Sequence, residues 1–177
     1  LDKKNDANKP RHRAIVWACP AHYYTNFTYW AQHCWGVKTV VDMECMLSHH
    51  FIHVGDKKEA MIDLAKSYEK MMMRSHTNGG YQNSLDECWK MCERFNVNIV
   101  IMYDHVSCKN VGGLHGLFED QARERGIHLI WVPHDLMDAR TVSRREMREA
   151  FNKYMVNVFR EEPLDPSLVD YEDTIAW

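Results

Sequence analysis

Short apolar runs of four to six residues alternate with longer stretches of helical periodicity along this chain. Residues 13–18 hold Ala14, Ile15, Val16 and Trp17 and stop at Cys19-Pro20, as a buried strand does. Residues 25–35 read as a helix with Gly36 as its C-cap, and the β-branched run 38–43 as a second strand. Asp56-Lys-Lys-Glu59 has the form of a capping box and opens a helix to about Met73. Residues 76–83, with Asn78-Gly79-Gly80, predict a loop. Ser84-Leu-Asp-Glu87 predicts a second capped helix to about Phe95, and residues 98–103 a third strand. A polar loop over 104–113 follows, then a helix over 114–125 closed by Gly126, and a fourth strand over 128–132 stopped by Pro133. Ser143-Arg-Arg-Glu146 caps a last helix to about Arg160.

Strands that alternate with helices imply a parallel sheet with right-handed crossovers. The expectation is an α/β fold, a flavodoxin-like parallel sheet of about four strands in the order 2-1-3-4, with helices on both faces. Residues 1–12 read as a linker or disordered start and 13–160 as the domain. Residues 161–177, acidic and proline-bearing, read as an extended tail that docks on a neighbouring surface or chain.

Composition narrows the function. The chain has 177 residues, 45% of them hydrophobic, enough for one ordinary core. A net charge of -3 gives no electrostatic case for nucleic acid or an anionic membrane. No apolar run reaches the length of a membrane span. The charged start lacks an initiator Met and the apolar segment of a signal peptide, as a linker or processed terminus would. Six Cys are too few for a disulfide scaffold of this length, so reduced thiols in the cytoplasm are the expectation, some of them available to metal.

Ligands of such sheets bind beyond the carboxyl ends of the strands, where strand order reverses. That crevice lies between the first and third strands. The first supplies Cys19, Pro20, His22, Tyr23 and Tyr24, and the third supplies Asp104, His105, Ser107, Cys108, Lys109 and Asn110. A thiolate at Cys108 gains from backbone N–H groups, the next helix start and Lys109, which favours a reactive thiolate or a soft metal ligand. The bland alternative is a Cys that packs in a loop. Cys88 and Cys92, four apart on a helix, read as structural, and Cys34 as core. Cys19 and Cys45 follow strands on the ligand side without partners at metal-site spacing. His49, His50 and His53 have no third ligand at a recognisable spacing and no HExxH, so they do not make a zinc site. Met71-Met-Met73 reads as helix packing. No dinucleotide fingerprint, Walker loop or nucleophile elbow is present.

Two motifs in this frame carry a resemblance. A strand runs into His-x-Ser-Cys-Lys, here His105-Val-Ser-Cys-Lys109. After a helix, another strand runs into Asp-x-x-Asp-x-Arg, here Asp135-Leu-Met-Asp-Ala-Arg140, ahead of the long final helix. Residues 98–160 are thus similar to the last third of subunits of the 2-hydroxyacyl-CoA dehydratase and benzoyl-CoA reductase family, and residues 13–51 fit its preceding strand–helix–strand unit. The resemblance implies two similar α/β domains per subunit, with a [4Fe-4S] cluster held between them by three Cys and an open iron facing an acyl-CoA thioester. Iron there would polarise the thioester carbonyl and ease electron addition, leading to loss of the hydroxyl or to ring reduction. It maps a cluster ligand onto Cys108 and leaves His22, Tyr23, His105 and Lys109 as substrate-pocket candidates. The other two ligands would come from a domain absent from this chain, as in a fragment or split subunit. Implied partners are a homologous iron–sulfur subunit and an ATP-hydrolysing iron–sulfur activator. Two other readings stay open: an accessory or electron-carrying subunit of such a complex, and an unrelated flavodoxin-like domain for flavin or phosphate.

Overall fold

A computed structural model of the chain describes residues 9–43, 51–69, 71, 74 and 79–171. In chain order the elements are β1 (His12–Trp17), α1 (Phe27–Trp35), β2 (Val37–Asp42), α2 (Lys57–Glu69), α3 (Tyr81–Phe95), β3 (Ile99–His105), a short α4 (Lys109–Gly113), α5 (His115–Arg125), β4 (His128–His134) and α6 (Arg144–Tyr154). The four strands are parallel and lie in the order β2-β1-β3-β4. This is the flavodoxin-like order that the alternation of elements predicts.

Strand alternation divides the core into two layers. Ala14, Val16, Ile99, Ile101, Ile130 and Val132 face α1 and α6. There they meet Phe27, Trp30, Cys34, Trp35, Met147 and Phe151. The intervening residues Ile15, Trp17, Val100, Met102 and Leu129 face α3 and α5, packing on Leu85, Cys88, Trp89, Cys92, Phe118 and Ala122. Tyr24, Phe27 and Trp30 are buried in the first of these layers. No helix among the described residues is long and apolar enough to cross a membrane.

The helix ends follow local chemistry. Gly36, Asn96 and Gly126 close α1, α3 and α5 in the left-handed conformation. Ser143 and Glu146 form both arms of a capping box on α6. Asp56 Oδ1 accepts from the Lys58 and Glu59 N–H groups at 2.7 and 2.9 Å, opening α2.

Several boundaries differ from the expectation. α3 opens at Tyr81, because Gly80 at φ 75° supplies the turn, and Ser84 therefore lies buried inside the helix instead of capping it. β3 continues through Asp104 and His105, which pair with Pro133 and His134. The supposed loop then closes into α4. Pro133 does not stop β4. The N–H of His128 and the carbonyl of His134 both bond towards β3, so by alternation the nitrogen of Pro133 faces the open edge, where no donor is needed. The final helix tightens into a π turn over Met155–Phe159 and ends at Arg160 with φ 55°. Met72, Met73 and residues 76–78 of the predicted loop lie outside the described residues, as do Cys45, His49, His50 and Trp177.

Residues 161–171 run back over their own domain. Leu164 N–H donates to Cys34 O at 2.7 Å, Arg11 to Glu162 O at 2.7 Å, and Asn152 to Val169 O at 3.3 Å.

Candidate functional site

A cavity of about 350 Å³ opens at the carboxyl ends of the strands. Its walls include Trp17 from β1, Met102 and Tyr103 from β3, Leu114 ahead of α5, and Phe118 on α5. Apolar walls of this kind favour an apolar group and exclude water from whatever polar atoms it carries. Polar residues border it at a few places: Cys19 after β1, His105 at the end of β3, Cys108 and Asn110 beyond it, and His134 at the end of β4. The crevice predicted between the first and third strands thus extends to β4.

Cys108 is half-buried, with β-region backbone angles, one residue ahead of α4. Its N–H donates to His105 O at 2.8 Å and its carbonyl accepts from Gly112 N–H at 3.1 Å, which fixes the loop tightly around the thiol. Ser107 N–H donates to His105 Nδ1 at 3.0 Å. That bond makes Nδ1 the acceptor and leaves the proton of the neutral ring on Nε2. Asp104 pairs with His115 Nε2 at 3.3 Å, and the His115 ring stacks on Trp131 at 3.6 Å.

The other predicted residues lie elsewhere. His22 is exposed, and its backbone N–H donates to Leu136 O at 2.9 Å. Tyr23 donates its hydroxyl to Val142 O at 2.5 Å, and burial raises the pKa of its phenol. Lys109 is exposed at the first position of α4. None of these three lines the cavity. Cys34, Cys88 and Cys92 are buried, and burial raises the pKa of Cys34 to about 11 and that of Cys88 well above its ordinary value. His53 pairs through Nδ1 with Asp63 Oδ2 at 2.6 Å.

Asp135-Leu-Met-Asp-Ala-Arg140 shapes the loop after β4. Asp135 Oδ1 accepts from the Met137 and Asp138 N–H groups at 2.9 and 2.8 Å, and these two bonds hold its carboxyl below its ordinary pKa. Asp138 takes a two-pronged grip from Arg140 at 2.9 and 2.7 Å, which holds its carboxyl near pKa 2. The motif therefore builds the turn that presents Leu136, whose side chain lines the cavity and whose carbonyl ties the β1 loop to the β4 loop.

Sequence reasoning passed over His134. It ended the fourth strand at Pro133, whereas the ladder places His134 directly opposite His105. The imidazole is fully buried, and burial, followed by the nearby His105, lowers its pKa to about 4.

Whether these residues suit an iron–sulfur cluster can be judged from the donors present. Cys108 and Cys19 each bring a soft thiol to the strand-end cavity. Among the described residues no three His, Cys, Asp or Glu side chains group closely enough to hold a metal ion. The described residues could thus supply thiol ligands to a cluster but not a complete set.

Comparison with curated proteins gives no match. A family model described as 2-hydroxyglutaryl-CoA dehydratase, D-component, matches residues 1–155. With most of its length matched, and with the strand order and the two motif loops in place around one cavity, the chain belongs to the 2-hydroxyglutaryl-CoA dehydratase D-component family.

Proposed function

We propose that this chain is a domain or subunit of a [4Fe-4S] enzyme that dehydrates a 2-hydroxyacyl-CoA, with Cys108 as one cluster ligand. The family membership supports an acyl-CoA dehydratase component, and the observation that carries the site is the Cys108 thiol at an apolar strand-end cavity. When bound, the cluster would supply electron transfer and a Lewis-acidic iron. This chain's own part is to hold the thiol, wall off water and orient the acyl group. Loop bonds from His105 and Gly112 hold Cys108 in place, while Trp17, Met102 and Phe118 keep the cavity dry. The remaining ligands come from a second domain, and the working form pairs with a homologous iron–sulfur subunit in a hetero-oligomer, as a D-component does. An ATP-hydrolysing iron–sulfur activator delivers the electron. A reducing, cytoplasmic setting suits thiols in this role.

The test is iron content of the assembled complex. Cys108→Ser should release the iron of this chain's cluster, leaving the homologous subunit's share, while the complex still assembles. Full iron retention in that variant would overturn the assignment.

A further inference from the structure

Trp17, Met43, Met102, Val111, Leu114 and Phe118 line the cavity, and all six belong to or pack against the core layer between the sheet and the helices α3 and α5. The cavity is therefore an opening in that layer at the strand ends, and an occupant lies on hydrocarbon, sulfur and aromatic surface. The polar groups at its border bring no positive charge. Ser84 and Asn110 are neutral. His105 accepts the Ser107 N–H at Nδ1, which an imidazolium cannot do. His134 follows Ile130 and Val132 onto the other face of the sheet, and burial lowers its pKa to about 4, so it is neutral at pH 7. No Lys or Arg is among the described wall residues. Lys109 is exposed outside the walls, and Arg140 is held on Asp138 at 2.9 and 2.7 Å. Asp104 follows Val100 and Met102 in the alternation of β3, so it brings a carboxylate to the cavity's face of the sheet. A carboxylate taken from water into such a lining loses its hydration without gaining a cation, whereas a hydrocarbon tail gains from burial.

We propose that this cavity selects a 2-hydroxyacyl thioester with an uncharged, apolar acyl tail, alkyl or aryl, over one that carries a second carboxylate, and that Leu114 is a specificity-determining residue. Leu114 is half-buried in the wall just ahead of α5, so its side chain can be exchanged without opening the fully buried core. This rests on the acyl-CoA reading above and adds the acyl class and the residue that sets it.

The experiment titrates the assembled complex, without an activator so that no turnover occurs, with 2-hydroxyhexanoyl-CoA, 2-hydroxyglutaryl-CoA and free coenzyme A. Wild type should bind the hexanoyl thioester about a hundredfold tighter than the glutaryl one, the effect of an unpaired carboxylate in an apolar lining. Leu114→Arg should narrow that gap by about tenfold or more, by strengthening the glutaryl thioester and weakening the hexanoyl one, with free coenzyme A unchanged. Leu114→Gln, polar but uncharged, should weaken the hexanoyl thioester without strengthening the glutaryl one. Val111→Arg repeats the charge test at a second half-buried wall position, should the first variant fail to fold. Equal affinity for the two thioesters, or a preference for the glutaryl one, in wild type would overturn the inference and leave the acyl-CoA reading standing. A hexanoyl preference that both arginine variants leave intact would also overturn it, by placing the selection outside this cavity. A complex that binds neither thioester more tightly than free coenzyme A would overturn the acyl-CoA reading and this inference together. The iron assay on Cys108 tests the cluster independently of these results.

Discussion

The indole N–H of Trp30 donates to the carbonyl of Leu168 at 2.8 Å, joining α1 to the segment that follows the last helix. Trp30 is itself buried against Phe27 and Phe151, so the bond anchors residues 161–171 to a rigid point in the core. Trp30→Phe should cost about 1 kcal/mol from the lost bond, plus packing, measured by urea unfolding. Ending the chain at Arg160 should make the Cys34 thiol accessible to a disulfide reagent in the folded protein. Continued protection of Cys34 would show that this segment does not cover it.

Gly36→Ala should destabilise by about 1–2 kcal/mol, the cost of placing a Cβ at left-handed backbone angles. An added methyl would also meet Leu164 Cδ1 at 3.0 Å and Arg11 Cγ at 3.2 Å. The loss should shrink in a Leu164→Ala background, because the closest contact is then gone. A double-mutant cycle measures that coupling.

Stability should fall on acidification between pH 6.5 and about 4, and His134→Phe should flatten that profile. The imidazole's pKa drops from an ordinary 6.5 to about 4 on folding. In this window the unfolded chain binds the extra proton and the folded chain does not, so stability rises with pH. The contribution is fully present above pH 6.5, is lost as pH falls through the window, and amounts to about 3 kcal/mol at most. Parallel pH profiles for wild type and variant would show that His134 does not contribute.

Replacing both Cys88 and Cys92 with Ala should leave the iron content of the complete assembly unchanged. Both thiols are packed under α3 against the sheet, with the pKa of Cys88 raised by burial. The cost should appear as stability, on the order of 1–3 kcal/mol. Iron loss without unfolding would place a ligand on α3.

Ser143→Ala should remove about 1 kcal/mol by breaking both arms of the α6 capping box, and Ser143→Asp should retain most of it. Thermal unfolding of the two variants gives the comparison.

The strand order was legible because β-branched runs alternate with capped helices, and parallel crossovers leave few arrangements. Cys108 could be placed at the strand ends for the same reason. The reach of β3 and β4 was not legible. It depends on pairing between Asp104, His105, Pro133 and His134, a tertiary fact that overrides the local signals of an acid, a loop and a proline. Tyr23 and His22 looked like pocket residues because loop position alone does not fix direction. Tyr23 is instead drawn to the Val142 carbonyl beside α6.

Pro133 bears on how this domain meets others. A strand with a free row of N–H and carbonyl groups invites a second chain to extend the sheet. On β4 that row is interrupted at Pro133, which presents no donor to the outside. Edge-to-edge growth from this side would leave an incoming carbonyl without a partner, and self-association by sheet continuation is disfavoured there. On this edge a companion protein meets side chains before backbone, and the strand ends around Cys19 and Cys108 are a face where recognition can rest on side-chain chemistry.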